Sequence, residues 1–187
     1  AEPFKMIKLS NPSPVSLPWI FQALGPFKLV WFLTQLEEDR PVPRPNLTGM
    51  RINFKPHPAV ELGLSRAILF GGEGRPKYGF GDYLKAFFGR NESLSGDKEN
   101  NQLGGFDASV LLPIDWLLPV KSVKLYTDWV GEDQAEVFPS KWGRIYGMKF
   151  YDILKTGKTD LDIEYANNHL PGNPNIFYTH PAFDPGY

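Results

Sequence analysis

Between residues 48 and 56 the sequence TGMRINFKP alternates without a break. Thr48, Met50, Ile52 and Phe54 fall on one side, Arg51, Asn53 and Lys55 on the other. A period of two is the signature of an extended strand with one apolar and one polar face. The pattern recurs. In AVELGLSRAILF (59–70), Val60, Leu62 and Leu64 oppose Glu61, Gly63 and Ser65. In SVKLYTDWVG (122–131), Val123, Leu125 and Trp129 oppose Lys124, Tyr126 and Asp128. KWGRIYGMKFYDIL (141–154) continues it, and in DLDIEYA (160–166) Leu161, Ile163 and Tyr165 face away from Asp162 and Glu164. These segments predict an all-β chain, an antiparallel meander with one greasy and one charged face.

FKLVWFLTQLEEDR (27–40) fits two templates. Leu29, Phe32, Leu33 and Leu36 would make a helical stripe, whereas a strand would be apolar on nearly both faces. Gly25-Pro26 before it and Pro41, Pro43 and Pro45 after it bound a piece of strand length, so it is read as a strand. The links suggest an order. Short ones at 56–59, 116–122 and 154–160 alternate with long ones at 37–47, 71–105 and 131–141. Strands of roughly ten residues with long links at one end only are expected of an outer-membrane β-barrel. A soluble sandwich would give the same alternation with its apolar face turned inward, and the pattern alone leaves both open. The charges on the polar face suit a water-filled lumen.

Charge narrows the function. Over 187 residues the net charge is −1, without the basic stripe expected of a nucleic-acid protein. No stretch approaches the ~18 apolar residues of a spanning helix. There are no cysteines, and three histidines without paired spacing, His57, His169 and His180, predict neither metal site nor cofactor. The start, AEPFKMIKLS, has neither an initiating Met nor a leader's apolar region, so a leader has been removed or the sequence is an excerpt.

Charged and aromatic residues are expected to gather at the long-loop end, Glu38, Glu73, Arg75, Lys141 and Tyr165 among them, with nine as candidate glycan contacts: Glu37, Asp39 and Arg40; Trp129, Glu132 and Asp133; Trp142, Arg144 and Glu164. An aromatic girdle with solvated loop charges would explain them, as in any such barrel. They would also make a glycan surface, with carboxylates and guanidinium groups bonding hydroxyls and flat rings stacking on sugars. Glu37/Asp39 or Glu132/Asp133 would serve as a glycosidase pair in a soluble sandwich, but adjacent acids are usually loop charge, and Ser65 lacks a nucleophile elbow. The reading is non-catalytic. Segment 71–105 is expected to be a long loop carrying a short helix in GDYLKAFFGRN, with Tyr83, Ala86 and Phe87 on one face, packed as a lid over the barrel mouth through Tyr83, Leu84 and Phe87.

Residues 25–66, GPFKLVWFLTQLEEDRPVPRPNLTGMRINFKPHPAVELGLSR, resemble the core segment of the Wzi-type capsule-assembly outer-membrane proteins. NNQLGGFDAS, YTDWVGEDQAEVFPSKWGRIYGMKF and IEYANN resemble later segments of that family, in order. The resemblance implies a large closed barrel with extra extracellular helices, acting as a lectin that holds capsular polysaccharide at the bacterial cell surface. Residues 1–187 would then be one segment of the barrel domain, incomplete at both ends. Its partners would be capsular polysaccharide and outer-membrane lipid, not nucleic acid, and the barrel would be monomeric. A passive channel or porin is the alternative of a different class.

Overall fold

The computed structural model describes residues 5–88, 100–135, 138–169 and 183. Its strands are β1 (Met6–Ser10), β2 (Val15–Ser16), β3 (Pro26–Gln35), β4 (Asn46–His57), β5 (Val60–Phe70), β6 (Asn100–Leu112), β7 (Ser122–Ala135), β8 (Phe138–Tyr151) and β9 (Leu161–Asn167). All belong to one antiparallel sheet in the order β1-β3-β4-β5-β6-β7-β8-β9, with β2 paired to the start of β3. The segment 27–35 is therefore strand, and each strand from β3 to β9 pairs with its sequence neighbours. The sheet is open in this chain, with β1 and β9 at its edges.

Register decides which side chains share a face. Trp31, Met50, Arg66, Gly104, Gly131 and Trp142 lie in one cross-strand row. Counting by twos from that row puts Leu29, Ile52, Leu64, Phe106, Trp129, Met148 and Ile163 on one face. Arg51, Asp107, Asp128, Lys149 and Glu164 fall on the other. Over most of its area the apolar face stays uncovered by the chain's own atoms, with Leu64 52% and Ile163 55% exposed. Such a continuous apolar face needs a solvent other than water. No helix is long and apolar enough to cross a membrane. Any crossing falls to the strands, and β3 to β8, at 10 to 14 residues, reach the length a tilted spanning strand requires.

Three expectations are corrected. Asn100–Leu112 is strand, so residues 100–105 do not belong to the long loop; Gly104 and Gly105 had erased the alternation that would have marked it. Residues 131–141 are not a loop, because β7 and β8 stay paired to Ala135 and Phe138. Links 113–121 and 152–160, at the other end, are longer than that hairpin. Long and short links therefore do not alternate strictly.

The helix α1 (Phe80–Phe87) is present but is not a lid on the mouth. Its Tyr83, Ala86 and Phe87 face inward as expected, yet they pack on the apolar face. The Trp31 indole N–H donates to the Tyr83 hydroxyl at 3.1 Å. Tyr83 lies 3.2 Å from Thr48 Oγ1, which donates to the Phe32 carbonyl at 2.8 Å. The Arg66 guanidinium, rising from the same face, donates to the Ala86 carbonyl at 3.2 Å and to Gln102. On the polar side, the loop 36–45 folds over the sheet instead. Leu36 and Val42 pack with Leu47 against Leu69 and Phe183, which are 0% and 3% exposed.

Candidate functional site

Two polar arrangements stand out, one on the polar face and one at the long-loop end. On the polar face, side chains two strands apart meet over a glycine. Asp107 of β6 leans across Gly63 of β5 to Arg51 of β4, whose Nη2 donates to Asp107 Oδ1 at 2.9 Å while Nη1 forms the ion pair with Oδ2 at 2.9 Å. A Cβ on Gly63 would sit 2.1 Å from Asp107 Oδ2, so the missing side chain is what makes this ion pair possible. Likewise Tyr126 of β7 lies across Gly147 of β8, and its hydroxyl donates to Glu164 of β9. A Cβ at 147 would stand 2.1 Å from the ring. Arg51 also holds Asn53 at 3.0 Å, Asn53 holds Glu61 at 2.9 Å, and Lys149 bonds Asp162 at 3.0 Å. Of these, Arg51, Glu61, Asp107, Tyr126, Lys149, Asp162 and Glu164 line a groove of about 400 Å3 that includes Asp128, directly opposite Asp107 in register.

The second arrangement is built from the loops 36–45 and 71–79. Backbone bonds tie them: Leu36 N–H to Pro45 O at 2.9 Å, Arg44 N–H to Glu37 O at 2.9 Å, Glu73 N–H to Pro43 O at 2.8 Å. Gly72, at φ +108, sits where a Cβ would meet Val42 at 2.5 Å. Arg44 bridges Glu73, at 2.8 Å, and Glu38. Arg40 bonds Glu37 at 3.0 Å. A backbone hydrogen bond, aided by Arg40, holds the Glu37 carboxyl below the usual carboxylate value. Beside this network is a cavity of about 480 Å3 lined by Gln35, Arg44, Asn46, Glu73, Arg75 and Tyr78, among others. Phe70 stacks obliquely on Tyr78 at 5.0 Å, and Asn100 donates to the Tyr78 hydroxyl at 3.0 Å. Burial of that ring raises its phenol above the ordinary value. The cavity thus offers two guanidinium groups, a carboxylate and two amides, all planar hydrogen-bonding groups, next to an aromatic face.

The nine residues selected from sequence separate into three places. Glu37, Asp39 and Arg40 sit in the loop 36–45 and are not among the residues that line the cavity. Glu132 is 5% exposed on the polar face, opposite Lys141, and Glu164 lies mid-strand under Tyr126; the side chain of Asp133 is outside the described residues. Trp129, Trp142 and Arg144 lie on the apolar face. Arg144 stacks 4.5 Å from the Trp129 ring centroid, and Phe106, Trp142 and Tyr146 surround that ring at 5.4 to 6.2 Å. This cluster has the composition of a membrane-boundary girdle. Arg44, Asn46 and Tyr78 were missed. Their only sequence signal is a cluster of Gly, Pro and charge, and the loop-on-loop pairing that joins them is invisible without coordinates. Among the described residues no group of three or more His, Asp or Glu side chains converges to hold a metal.

The comparisons with known proteins agree with this architecture. The whole chain, residues 1–187, matches the family model for capsule assembly protein Wzi. An uncharacterised 55.8 kDa protein of the cps region of Klebsiella pneumoniae is 32% identical over 124 residues, covering 65% of this chain and 23% of that protein. The solved structure of Wzi from Escherichia coli matches with a TM-score of 0.60 at 26% identity, over 79% of this chain and 30% of that one. Wzi is described as an outer-membrane protein involved in group 1 capsule assembly and as a carbohydrate-binding β-barrel. The present chain therefore spans between about a quarter and a third of these relatives' lengths. Its open antiparallel sheet, greasy on one face and charged on the other, is a run of barrel wall, and the chain belongs to the Wzi capsule assembly protein family.

Proposed function

We propose that this chain supplies wall and surface loops to an outer-membrane barrel that binds capsular polysaccharide without altering it. The chain is part of an outer-membrane protein, so its apolar face meets lipid and its long-loop end meets the cell exterior. The observation that carries the reading is the cavity of about 480 Å3 at that end, where Gln35, Arg44, Asn46 and Glu73 stand beside Tyr78. Planar polar groups that bond vicinal hydroxyls, next to a ring that covers a sugar's C–H face, are what recognition of a neutral or acidic glycan requires. Each contact need only be weak. A repeating polymer presents the same unit many times, and effective concentration turns modest affinity into durable holding. The barrel is read as monomeric.

Binding of purified capsular polysaccharide to the full-length protein in detergent tests this. The double variant Arg44→Ala/Glu73→Ala removes one charge of each sign and should weaken binding about tenfold or more, since hydrogen bonds to charged groups contribute about 1.5–3 kcal/mol. Glu164→Gln, in the polar-face groove, should leave affinity unchanged. The reverse result would move the glycan to the groove. That groove favours a second reading, a passive channel. Ion conductance from planar bilayers, with no polysaccharide binding, would establish it in place of the lectin.

A further inference from the structure

We propose that α1 is an interfacial element whose outer flank is seated in the acyl chains of the outer-leaflet lipid. The inference rests on the barrel reading above. Its starting point is that α1 lies on the apolar face, against Trp31, Thr48 and Arg66, and so on the side of the wall that lipid occupies. A helix needs only one flank to dock on a wall, and Tyr83, Ala86 and Phe87 supply it. Yet α1 and its C-cap residue carry a second apolar stripe, Phe80, Leu84 and Phe88, at i, i+4 and i+8. These are 78%, 38% and 63% exposed. At 100° per residue the two stripes join into one apolar arc of roughly 200°, leaving Gly81, Asp82 and Lys85 on the remaining side.

That division is what a helix lying along the water–hydrocarbon boundary requires, its greasy arc buried and its polar side at the headgroups. The exposed stripe continues the lipid-facing surface of the strands, where Leu64 is 52% exposed, so the same solvent covers both. The chemistry underneath points the same way. Arg66 projects from a wall that faces hydrocarbon, and α1 caps it with the Ala86 carbonyl while Gln102 takes another of its N–H groups. A helix that shields a guanidinium from lipid is itself bathed by lipid on its other side. A second device holds its start: the Gly79 N–H donates to Asp82 Oδ2 at 3.0 Å, keeping that carboxylate turned back on the helix.

The chain has no cysteine, so single labels are placed readily. In the full-length protein, made free of other cysteines and reconstituted in phosphatidylethanolamine/phosphatidylglycerol vesicles, positions 64, 80, 84, 85 and 88 are changed singly to Cys and carry a fluorophore. Quenching is then read from a nitroxide on the lipid acyl chain and from a water-soluble quencher. Labels at Phe80→Cys, Leu84→Cys and Phe88→Cys should be quenched severalfold more by the lipid nitroxide than by the aqueous agent. Lys85→Cys should show the opposite preference. Leu64→Cys reports the wall itself. If it responds to lipid while 80, 84 and 88 respond to water, or to neither agent because protein covers them, the inference about α1 fails and the barrel stands. If Leu64→Cys also ignores lipid, the membrane reading fails with it.

Discussion

Changing Gly147 to alanine should lower the unfolding free energy of the full-length barrel by about 2–4 kcal/mol, out of proportion to a single methyl group. The added Cβ would stand 2.1 Å from the Tyr126 ring, and strand pairing on both sides of β8 prevents the backbone from retreating. The ring has to rotate away, and it takes with it the hydrogen bond to Glu164. Overpacking of this kind typically costs about 1–3 kcal/mol, and a hydrogen bond to a carboxylate adds a part of its about 1.5–3 kcal/mol, discounted because this face is wet. Two companion variants separate the causes. Tyr126→Phe keeps the ring and loses only the hydroxyl, so it should cost the smaller share. Tyr126→Ala removes the obstacle, so adding Gly147→Ala to it should be nearly free. Urea-induced unfolding of the four proteins in vesicles gives the cycle. Additive losses would mean that the ring does not lie over Gly147.

The same glycine explains how far the sequence could be read. Strands β4, β5, β7, β8 and β9 were legible because their faces differ in hydrophobicity, a property of each strand alone, and β3 because Gly25-Pro26 and the prolines at 41, 43 and 45 bound it. Faces were legible too: Val123, Leu125 and Trp129 oppose Lys124, Tyr126 and Asp128 as the register has them. What β7 meets two strands away depends on register, which a single sequence does not display. Hence neither Tyr126–Gly147–Glu164 nor Arg51–Gly63–Asp107 could be anticipated, though every residue in them was visible. Strand β6 was hidden for a related reason, since Gly104 and Gly105 carry no hydrophobic signal. The placement of Trp129, Trp142 and Arg144 is the converse case. Chemistry placed them with the acidic candidates on one glycan surface, although alternation from Val123 already assigned Trp129 to the greasy face. The loop cavity was the least legible part, because Arg44 meets Glu73 only through the fold of two loops 29 residues apart.

Arg66 offers the sharpest test of what lies beneath α1. Gln102→Leu is expected to lower the unfolding free energy by about 2–3 kcal/mol, a loss at odds with the gain in hydrophobicity on an apolar face. The Arg66 guanidinium bonds the Gln102 side-chain oxygen and the Ala86 carbonyl, and no other partner takes its Nε–H. Removing Gln102 withdraws an acceptor where water does not substitute for it, because α1 lies over the group. If the charge is what makes the loss large, then Arg66→Met, which fills similar volume without a charge, should restore most of the stability when combined with Gln102→Leu. Buried ions exchanged for well-packed apolar groups are often neutral or stabilising, whereas removing one partner alone leaves the other uncompensated. The cycle therefore has a defined sign: a strong penalty for Gln102→Leu alone and a much smaller one for the pair. A neutral Gln102→Leu would mean that water reaches Arg66 and that α1 does not seal the wall. A penalty that Arg66→Met fails to relieve would place the cost in Gln102's other contacts, its amide bond to Asn100 among them. Relief would identify α1 as the cover that lets a lipid-facing strand carry an arginine.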